Sequence, residues 1–225
     1  ALRTQPNHTI ISEEVAAKVL THLINHAIDS GKHTLYLFTK PKSAQKLSAV
    51  GFRIIAEVKP YATLMEWGMV GINQYVAELK KLAEADPGEA AAVVVNCNPF
   101  TLGHQFLIET AASRSRRVYV IVVEEDQSVF PFEDRIELVR KGTAHLKNVT
   151  VIAGGRYVVS SLTFPSYFTR DSEFAAAHSA MDVALFLNYI VPALGITKRF
   201  VGTEPYSEVT EAYNQAMKSI LIPAG

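Results

Sequence analysis

The chain has few of the features that identify extracellular, membrane or nucleic-acid-binding proteins. One cysteine among 225 residues excludes an internal disulfide and is typical of a reducing cytoplasm. Twenty-two basic residues balance 22 acidic ones, so no surplus of positive charge favours a nucleic-acid partner. The longest apolar run is much shorter than the roughly 20 residues that span a bilayer. We therefore expect a cytoplasmic protein whose partners are neither nucleic acid nor membrane.

Several catalytic patterns are also missing. The histidines show no metal-ligand spacing with Asp, Glu or Cys. The sequence contains neither a Gly-x-Ser-x-Gly nor a Walker pattern. The sequence therefore predicts no dedicated metal site, no serine hydrolase and no P-loop enzyme.

Residues 1–70 show the order helix, strand, helix, strand. The first helix is predicted between Ser12, a candidate N-cap, and Gly31, a candidate C-terminal stop. With its Gly51-Phe52 pair, the segment is similar to the C-terminal half of an N-acetyltransferase-like (GNAT) domain. No glycine precedes the first helix to let the backbone approach a pyrophosphate. We therefore expect a partial N-acetyltransferase-like domain over 1–70 with a structural or docking role, followed by a connector over 71–88.

Residues 89–225 alternate strands and helices in the manner of βαβ units. Apolar runs at 91–95 and 117–123 predict buried parallel strands, and 149–153 and 199–202 predict two more. Helical periodicity covers four segments: 103–113, 133–145, 172–194 and 209–219. The predicted fold is α/β, a Rossmann-like parallel sheet with helices on both faces. In such sheets ligands bind at the C-terminal ends of the strands.

The most informative segment reads NCNPFTLGH at 96–104, between a predicted strand and a predicted helix. Such a turn aims backbone N–H groups outward from the helix N-terminus, where anions bind. Its Thr-x-Gly-His ending resembles the T/HxGH signature of the nucleotidylyltransferase superfamily, whose histidine contacts the α-phosphate of a nucleoside triphosphate. The resemblance implies catalytic roles for Thr101 and His104. It implies nucleotide-binding roles for Asn96, Asn98, Pro99, Phe100 and Gly103. The alternative is an ordinary turn with a helix-capping histidine.

A second candidate is Arg135, in the segment PFEDR at 131–135. In the superfamily, a helix after the second strand carries an sxxxR pattern whose arginine faces the active site. The resemblance therefore implies a catalytic role for Arg135. The alternative is a solvated helix surface, on which Glu/Arg pairs contribute only about 0.2–0.5 kcal/mol each.

A third candidate is the segment GTE at 202–204. It resembles the vGxD/E segment that meets the nucleotide from the other side of the cleft. The resemblance implies that Gly202, Thr203 and Glu204 bind the nucleotide. The alternative is a turn that needs glycine for a positive φ.

A fourth candidate is the polar and aromatic segment 160–170, which follows the third predicted strand. Its position suits an acceptor-binding loop, with Ser161, Tyr167 and Arg170 as candidate substrate contacts. An arginine there would hold a carboxylate or a phosphate. The alternative is an ordered surface loop.

Four segments, 96–104, 162–168, 197–205 and 209–218, together resemble the citrate lyase ligase family. With the GNAT-like segment, the resemblance covers about residues 15–222. It implies that ATP and acetate form acetyl-AMP and pyrophosphate, with Mg²⁺ arriving on the ATP. It further implies that the acetyl group passes to the thiol of the phosphoribosyl-dephospho-CoA arm on the acyl-carrier subunit of citrate lyase.

Two other functions stay open. One is a nucleotidyltransferase that joins an adenylyl or cytidylyl group to a phosphorylated small molecule. The other is a non-enzymatic nucleotide-binding module that docks to the lyase. The superfamily also carries an ISSTxxR-like segment beyond its last helix, which 1–225 does not contain. The resemblance therefore implies a C-terminally incomplete catalytic domain over 89–225, and weak or no activity for residues 1–225 alone.

Overall fold

The first part of the chain folds as a three-stranded antiparallel sheet with two helices. The computed structural model describes residues 13–124, 129–158, 172–202 and 208–224. The strands are ordered β1-β3-β2. The elements are α1 (Glu13–Asp29), β1 (Thr34–Thr39), α2 (Pro41–Ser48), β2 (Arg53–Val58) and β3 (Ala62–Gly68). The first four elements follow the predicted order, and β3 is a fifth element of this part. The N-acetyltransferase-like fold of the segment remains a prediction.

The second part is a four-stranded parallel sheet with the order β6-β5-β4-β7. Its strands are β4 (Ala90–Val95), β5 (Val118–Val122), β6 (Val149–Ala153) and β7 (Ile196–Phe200). Its helices are α3 (Ile72–Glu84), α4 (Leu102–Ser113), α5 (Phe132–Thr143), α6 (Ser172–Leu185), α7 (Val191–Leu194) and α8 (Glu208–Ala224). The predicted α/β class with a Rossmann-like parallel sheet is confirmed.

Both faces of the parallel sheet are covered, which explains why β4 and β5 are continuously apolar. Along β4 the side chains alternate between two core clusters. Ala90 and Ala92 face the cluster that contains Leu79 of α3 and Leu194 of α7. Ala91, Val93 and Val95 face the cluster formed by α4 and α5. The prediction of helices on both faces is therefore confirmed.

The predicted helix over 172–194 is a composite of α6, one π-helical turn (Phe186–Ile190) and α7. The widened turn ends two residues before Pro192, which has no N–H to donate to the preceding turn. The stretch Ala177–Leu194 is long and apolar enough to cross a bilayer, but 61% of it is buried inside the structure. Burial against the sheet explains its composition, as in the core helix of a globular domain.

A shared core, which we call the junction core, joins the two sheets. It contains Ile55 and Ala56 of β2, Leu64 of β3, Ile72 of α3, Tyr157, and Met181 and Leu185 of α6. A β-bulge at Ile54/Ala56 interrupts the alternation of β2, so that consecutive residues enter the same core. The predicted connector, 71–88, is mostly helix α3, and the division of the chain at 70 and 88 remains a prediction.

The Glu66 carboxylate lies beside the junction core and is 1% exposed. It accepts hydrogen bonds from Arg53 at 3.1 Å, from the Tyr157 hydroxyl at 3.1 Å and from the backbone N–H of Ile72 at 3.1 Å. These donors belong to β2, to the segment after β6 and to the first turn of α3. One buried acceptor therefore connects the two parts of the molecule.

Replacing Glu66 by alanine should destabilise the protein by about 3 kcal/mol, because three donors lose their acceptor and two of them are buried. Urea denaturation followed by circular dichroism measures the change. Glu84→Ala, at an exposed position of α3, is the matched control and should change stability by less than about 0.5 kcal/mol. Equal effects of the two substitutions would show that the Glu66 network does not stabilise the fold.

Candidate active site

The candidate site is the loop that leads from the end of β4 into α4. Cys97 bends the chain with a φ of 51°, the one positive φ at a non-glycine position among the described residues. The Asn98–Pro99 peptide bond that follows is cis. Thr101 is then the N-cap of α4, with an extended backbone (φ −125°, ψ 169°). A positive φ at a residue other than glycine, as at Cys97, is backbone strain of a kind that clusters at ligand-binding sites.

Thr101 and His104 form a reciprocal cap on α4. The backbone N–H of Thr101 donates to Nδ1 of His104 at 3.1 Å, and the Thr101 hydroxyl lies 2.8 Å from the same nitrogen. A backbone N–H can only donate, so Nδ1 is an acceptor and the neutral imidazole carries its hydrogen on Nε2. The structure thus sets His104 as a donor through Nε2. The Thr101 hydroxyl is directed to His104.

The N-terminus of α4 is open to solvent and suited to an anion. Leu102 is 83% exposed, and Thr101 and Gly103 are exposed as well. The first turn carries no acidic side chain to offset the positive end of the helix dipole. Because the first N–H groups of a helix have no partner within it, this surface attracts a negatively charged group.

Phe100 lies between His104 and helix α5 and contacts both. Its ring is stacked with the imidazole, with centroids 6.1 Å apart and planes 22° apart. The Phe100 ring also packs against Gly142 of α5, where an added Cβ would lie 2.3 Å from the ring. Only glycine at 142 therefore leaves room for this ring position. The sequence analysis did not predict a role for Gly142, because a single glycine within a helical segment does not indicate which side chain packs against it.

Arg135 lies inside the protein, with 0% exposure. Its NH1 donates to the carbonyl of Asn96 and to Asn96 Oδ1, both at 2.8 Å, and to the carbonyl of Val123 at 2.9 Å. Its Nε donates to the carbonyl of Phe130 at 3.1 Å. The predicted alternative, a solvated helix surface, is therefore wrong for Arg135, because the side chain is fully buried. Two of its acceptor residues, Asn96 and Val123, directly follow the ends of β4 and β5. The arginine holds the start of the loop, and its catalytic role remains a prediction.

The two asparagines of the loop also have structural partners. Asn96 Oδ1 accepts from Arg135, and Asn98 Oδ1 accepts from the backbone N–H of Phe130 at 3.0 Å. Pro99 is exposed beside them. Their side chains fix the loop against the segment that precedes α5. Direct contact of Asn96, Asn98 or Pro99 with a nucleotide stays a prediction.

Gly202 lies just beyond β7, the neighbour of β4, at the same edge of the sheet as His104. Its carbonyl accepts from Asn214 of α8 at 3.4 Å. Its φ is not positive, so the alternative that this turn needs glycine for a left-handed backbone is wrong. Five further predicted site residues, Thr203, Glu204, Ser161, Tyr167 and Arg170, lie outside the described residues.

The other titratable side chains near the loop do not extend the site. Burial raises the pKa of the Cys97 thiol to about 12. His145 pairs with Glu109 at 3.0 Å on the outer surface of α4 and α5. Among residues 13–124, 129–158, 172–202 and 208–224, no three His, Cys, Asp or Glu side chains come together to hold a metal.

A four-stranded parallel sheet with the TLGH turn (101–104) between its first strand and the next helix is consistent with a Rossmann-like nucleotidylyltransferase domain. A family model described as "Citrate lyase ligase C-terminal domain" matches residues 90–224. The chain is 41% identical over 215 residues to the [citrate [pro-3S]-lyase] ligase of Klebsiella pneumoniae, covering 95% of this chain and 62% of that protein. It is 38% identical to the ligase of Escherichia coli K12, covering 94% of this chain and 60% of that protein. The chain belongs to the citrate lyase ligase family.

A more distant relative supports the same domain class. The phosphopantetheine adenylyltransferase of Corynebacterium efficiens is 27% identical over 117 residues, which is 51% of this chain and 69% of that protein. The chain spans about three fifths of the length of the ligases that it matches.

Replacing Gly142 by alanine should weaken binding of a non-hydrolysable ATP analogue about tenfold, because the new methyl group displaces Phe100 and with it His104. Helix propensity alone would make the same variant more stable, by up to about 1 kcal/mol. Isothermal titration calorimetry measures the affinity, and thermal unfolding checks the fold. Arg140→Ala, at an exposed position of the same helix, is the control. Unchanged affinity in Gly142→Ala would show that the Phe100 stack does not position the site.

Cys97 should not react with a thiol reagent in the native protein near pH 8, about the ordinary thiol pKa, because it is 1% exposed and its own pKa is raised to about 12. Unfolding in guanidinium should expose one thiol per chain. Labelling with a chromogenic disulfide measures both states. Cys97→Ala, the control, should give no signal in either state. Rapid labelling of the native protein would contradict the buried position of Cys97.

Proposed function

We propose that the protein is an ATP-dependent acid–thiol ligase that activates acetate as acetyl-AMP and acetylates citrate lyase. The observation that carries the proposal is the open N-terminus of α4 with the Nε2 donor of His104, in a chain whose relatives are named ligases of citrate lyase. The acceptor is the thiol of the phosphoribosyl-dephospho-CoA arm on the acyl-carrier subunit. The reaction takes place in the cytoplasm.

In the first step, a carboxylate oxygen of acetate attacks the α-phosphorus of ATP. The new P–O bond forms as the bond to the bridging oxygen of the β-phosphate breaks, and its electron pair leaves with pyrophosphate. Negative charge builds up on the α-phosphate oxygens during this step. The His104 Nε2–H and the first N–H groups of α4 stabilise that charge by donating hydrogen bonds. Mg²⁺ arriving with ATP as part of the substrate would neutralise charge on the triphosphate.

In the second step, the carrier thiolate attacks the carbonyl carbon of acetyl-AMP. A C–S bond forms, the C–O bond to AMP breaks, and AMP leaves with that electron pair. The burial and high pKa of Cys97 exclude it as an intermediate acceptor. Gly202, Thr203 and Glu204 are proposed to contact the nucleotide, and Ser161, Tyr167 and Arg170 the acceptor.

His104→Ala should lower acetate-dependent ATP–pyrophosphate exchange by about 100-fold or more, the usual cost of deleting one transition-state donor. Exchange of labelled pyrophosphate into ATP by the full-length protein measures the loss. His104→Gln should keep more activity than His104→Asn, because the glutamine amide reaches closer to the Nε2 position. His145→Ala, which removes a histidine outside the loop, should leave the rate unchanged.

A loss below about tenfold in His104→Ala would remove His104 from the proposed role. The product distinguishes the ligase from a nucleotidyltransferase, which the phosphopantetheine adenylyltransferase relatives keep as an alternative. AMP released only with acetate and carrier supports the ligase. A stable dinucleotide-like product would overturn it.

A further inference from the structure

A cavity lies between the two sheets, and no residue of the His104 loop lines it. Its volume is about 450 Å³, within the size range of small-molecule sites. The loop from α1 to β1, the first turns of α3, and the segment after β6 each line part of it. Both parts of the chain therefore contribute to this cavity.

One wall of the cavity consists of three tyrosine rings. Tyr36 and Tyr157 meet edge to face, with centroids 6.1 Å apart, and Tyr75 lies 5.3 Å from Tyr157. The Tyr75 hydroxyl donates to the carbonyl of Gly154 at 2.8 Å, which fixes this ring to the end of β6. The wall is thus rigid and amphipathic, with apolar ring faces and hydroxyl groups.

The directions of the hydrogen bonds in the wall determine whether the Tyr36 hydroxyl can donate to a ligand or accept from it. The Glu66 carboxylate can only accept, so the Tyr157 hydroxyl donates its one hydrogen to it at 3.1 Å. The Tyr157 oxygen must then accept the hydrogen of Tyr36, whose hydroxyl lies 3.1 Å away. Burial raises the pKa of Tyr36, which keeps that hydrogen in place. The Tyr36 oxygen can then only accept a further hydrogen bond. It therefore suits a ligand that offers an N–H or O–H group.

The rim of the cavity is predominantly basic. Lys32, His33 and Arg156 line it, against the single acidic side chain of Glu78. The position of Lys32 is built into the end of α1: its backbone N–H donates to Ala27 at 2.8 Å, next to Gly31 with a φ of 71°. Lys32 makes no ion pair with any residue that the structure describes. The rim therefore suits a phosphate or a carboxylate.

Part of the cavity lining lies at the same end of the parallel sheet as the His104 loop. Arg156 and Tyr157 follow the C-terminal end of β6, as Asn96 to His104 follow that of β4. Two strand spacings separate β6 from β4, about 10 Å. An extended ligand held in the cavity can therefore direct its other end toward the candidate active site.

We propose that this cavity binds a phosphorylated chain with amide or hydroxyl donors, namely the prosthetic arm of the acyl-carrier partner. The arm's phosphates contact the basic rim, and its N–H or O–H groups donate to Tyr36. The identity of the arm rests on the proposed function. A free coenzyme-A-type nucleotide has the same chemistry, and the experiment separates the two sources.

The test uses 3′-dephospho-coenzyme A as the probe on the full-length protein, with calorimetry in the absence of ATP. Lys32→Ala and Tyr36→Phe should each weaken binding about five- to tenfold, the effect of one lost polar contact. Tyr36→Phe keeps the ring and leaves the Tyr157–Glu66 bond in place. Lys80→Ala makes the same charge change at an exposed position of α3 outside the cavity and should bind as the unmodified protein does.

Activity measurements separate this proposal from the proposed function. Both cavity variants should leave acetate-dependent ATP–pyrophosphate exchange unchanged while raising the KM for the carrier protein, and the probe should compete with the carrier. His104→Ala should abolish exchange yet bind the probe normally. Absence of probe binding, an equal effect of Lys80→Ala, or lack of competition with the carrier would overturn the cavity proposal. Loss of ATP–pyrophosphate exchange in the cavity variants would also overturn it, because the cavity would then bind ATP and not the carrier arm.

Discussion

Where parallel strands end, their last carbonyl groups lose the N–H partners that the sheet supplied. Buried carbonyls need other donors, because leaving one unsatisfied costs about 1–3 kcal/mol. Arg135 meets this need just after the ends of β4 and β5, where its guanidinium donates to the carbonyls of Asn96 and Val123. The shape of the loop that carries His104 depends on this interior cation, since the loop starts at the residue that Arg135 holds.

Further contacts of the loop residues fix the position of the His104 ring. Asn98 ties the loop to Phe130, and Phe100 packs on Gly142 of α5. The His104 ring contacts both the Phe100 ring and the Thr101 cap. A donor fixed before its ligand arrives needs no reorganisation during the reaction, which is the property that electrostatic catalysis requires.

The three-stranded sheet of the N-terminal part is joined to this arrangement through Glu66 and the junction core. Because Glu66 accepts from both Ile72 and Tyr157, the first turn of α3 and the end of β6 are held at one point. Residues from both parts of the chain also line the cavity beside Glu66.

Local pattern was sufficient to predict much of the architecture. The valine-rich runs predicted β4 and β5, because only strands buried on both faces tolerate such composition. The NCNPFTLGH segment predicted a strand-to-helix turn and the position of His104, since Asn, Pro, Gly and a capping Thr each favour that geometry within a few residues. The family resemblance was likewise contained in short motifs.

Three features were decided by tertiary structure alone. The acceptors of Arg135 include Asn96, 39 residues earlier in the chain, so its helix pattern could not reveal that it is buried. The Glu66 network and the cavity combine Tyr36, Glu66 and Tyr157, which no short motif connects. Periodicity and capping act over a few residues, whereas a buried hydrogen-bond network depends on which distant groups the packed sheets bring within about 3 Å.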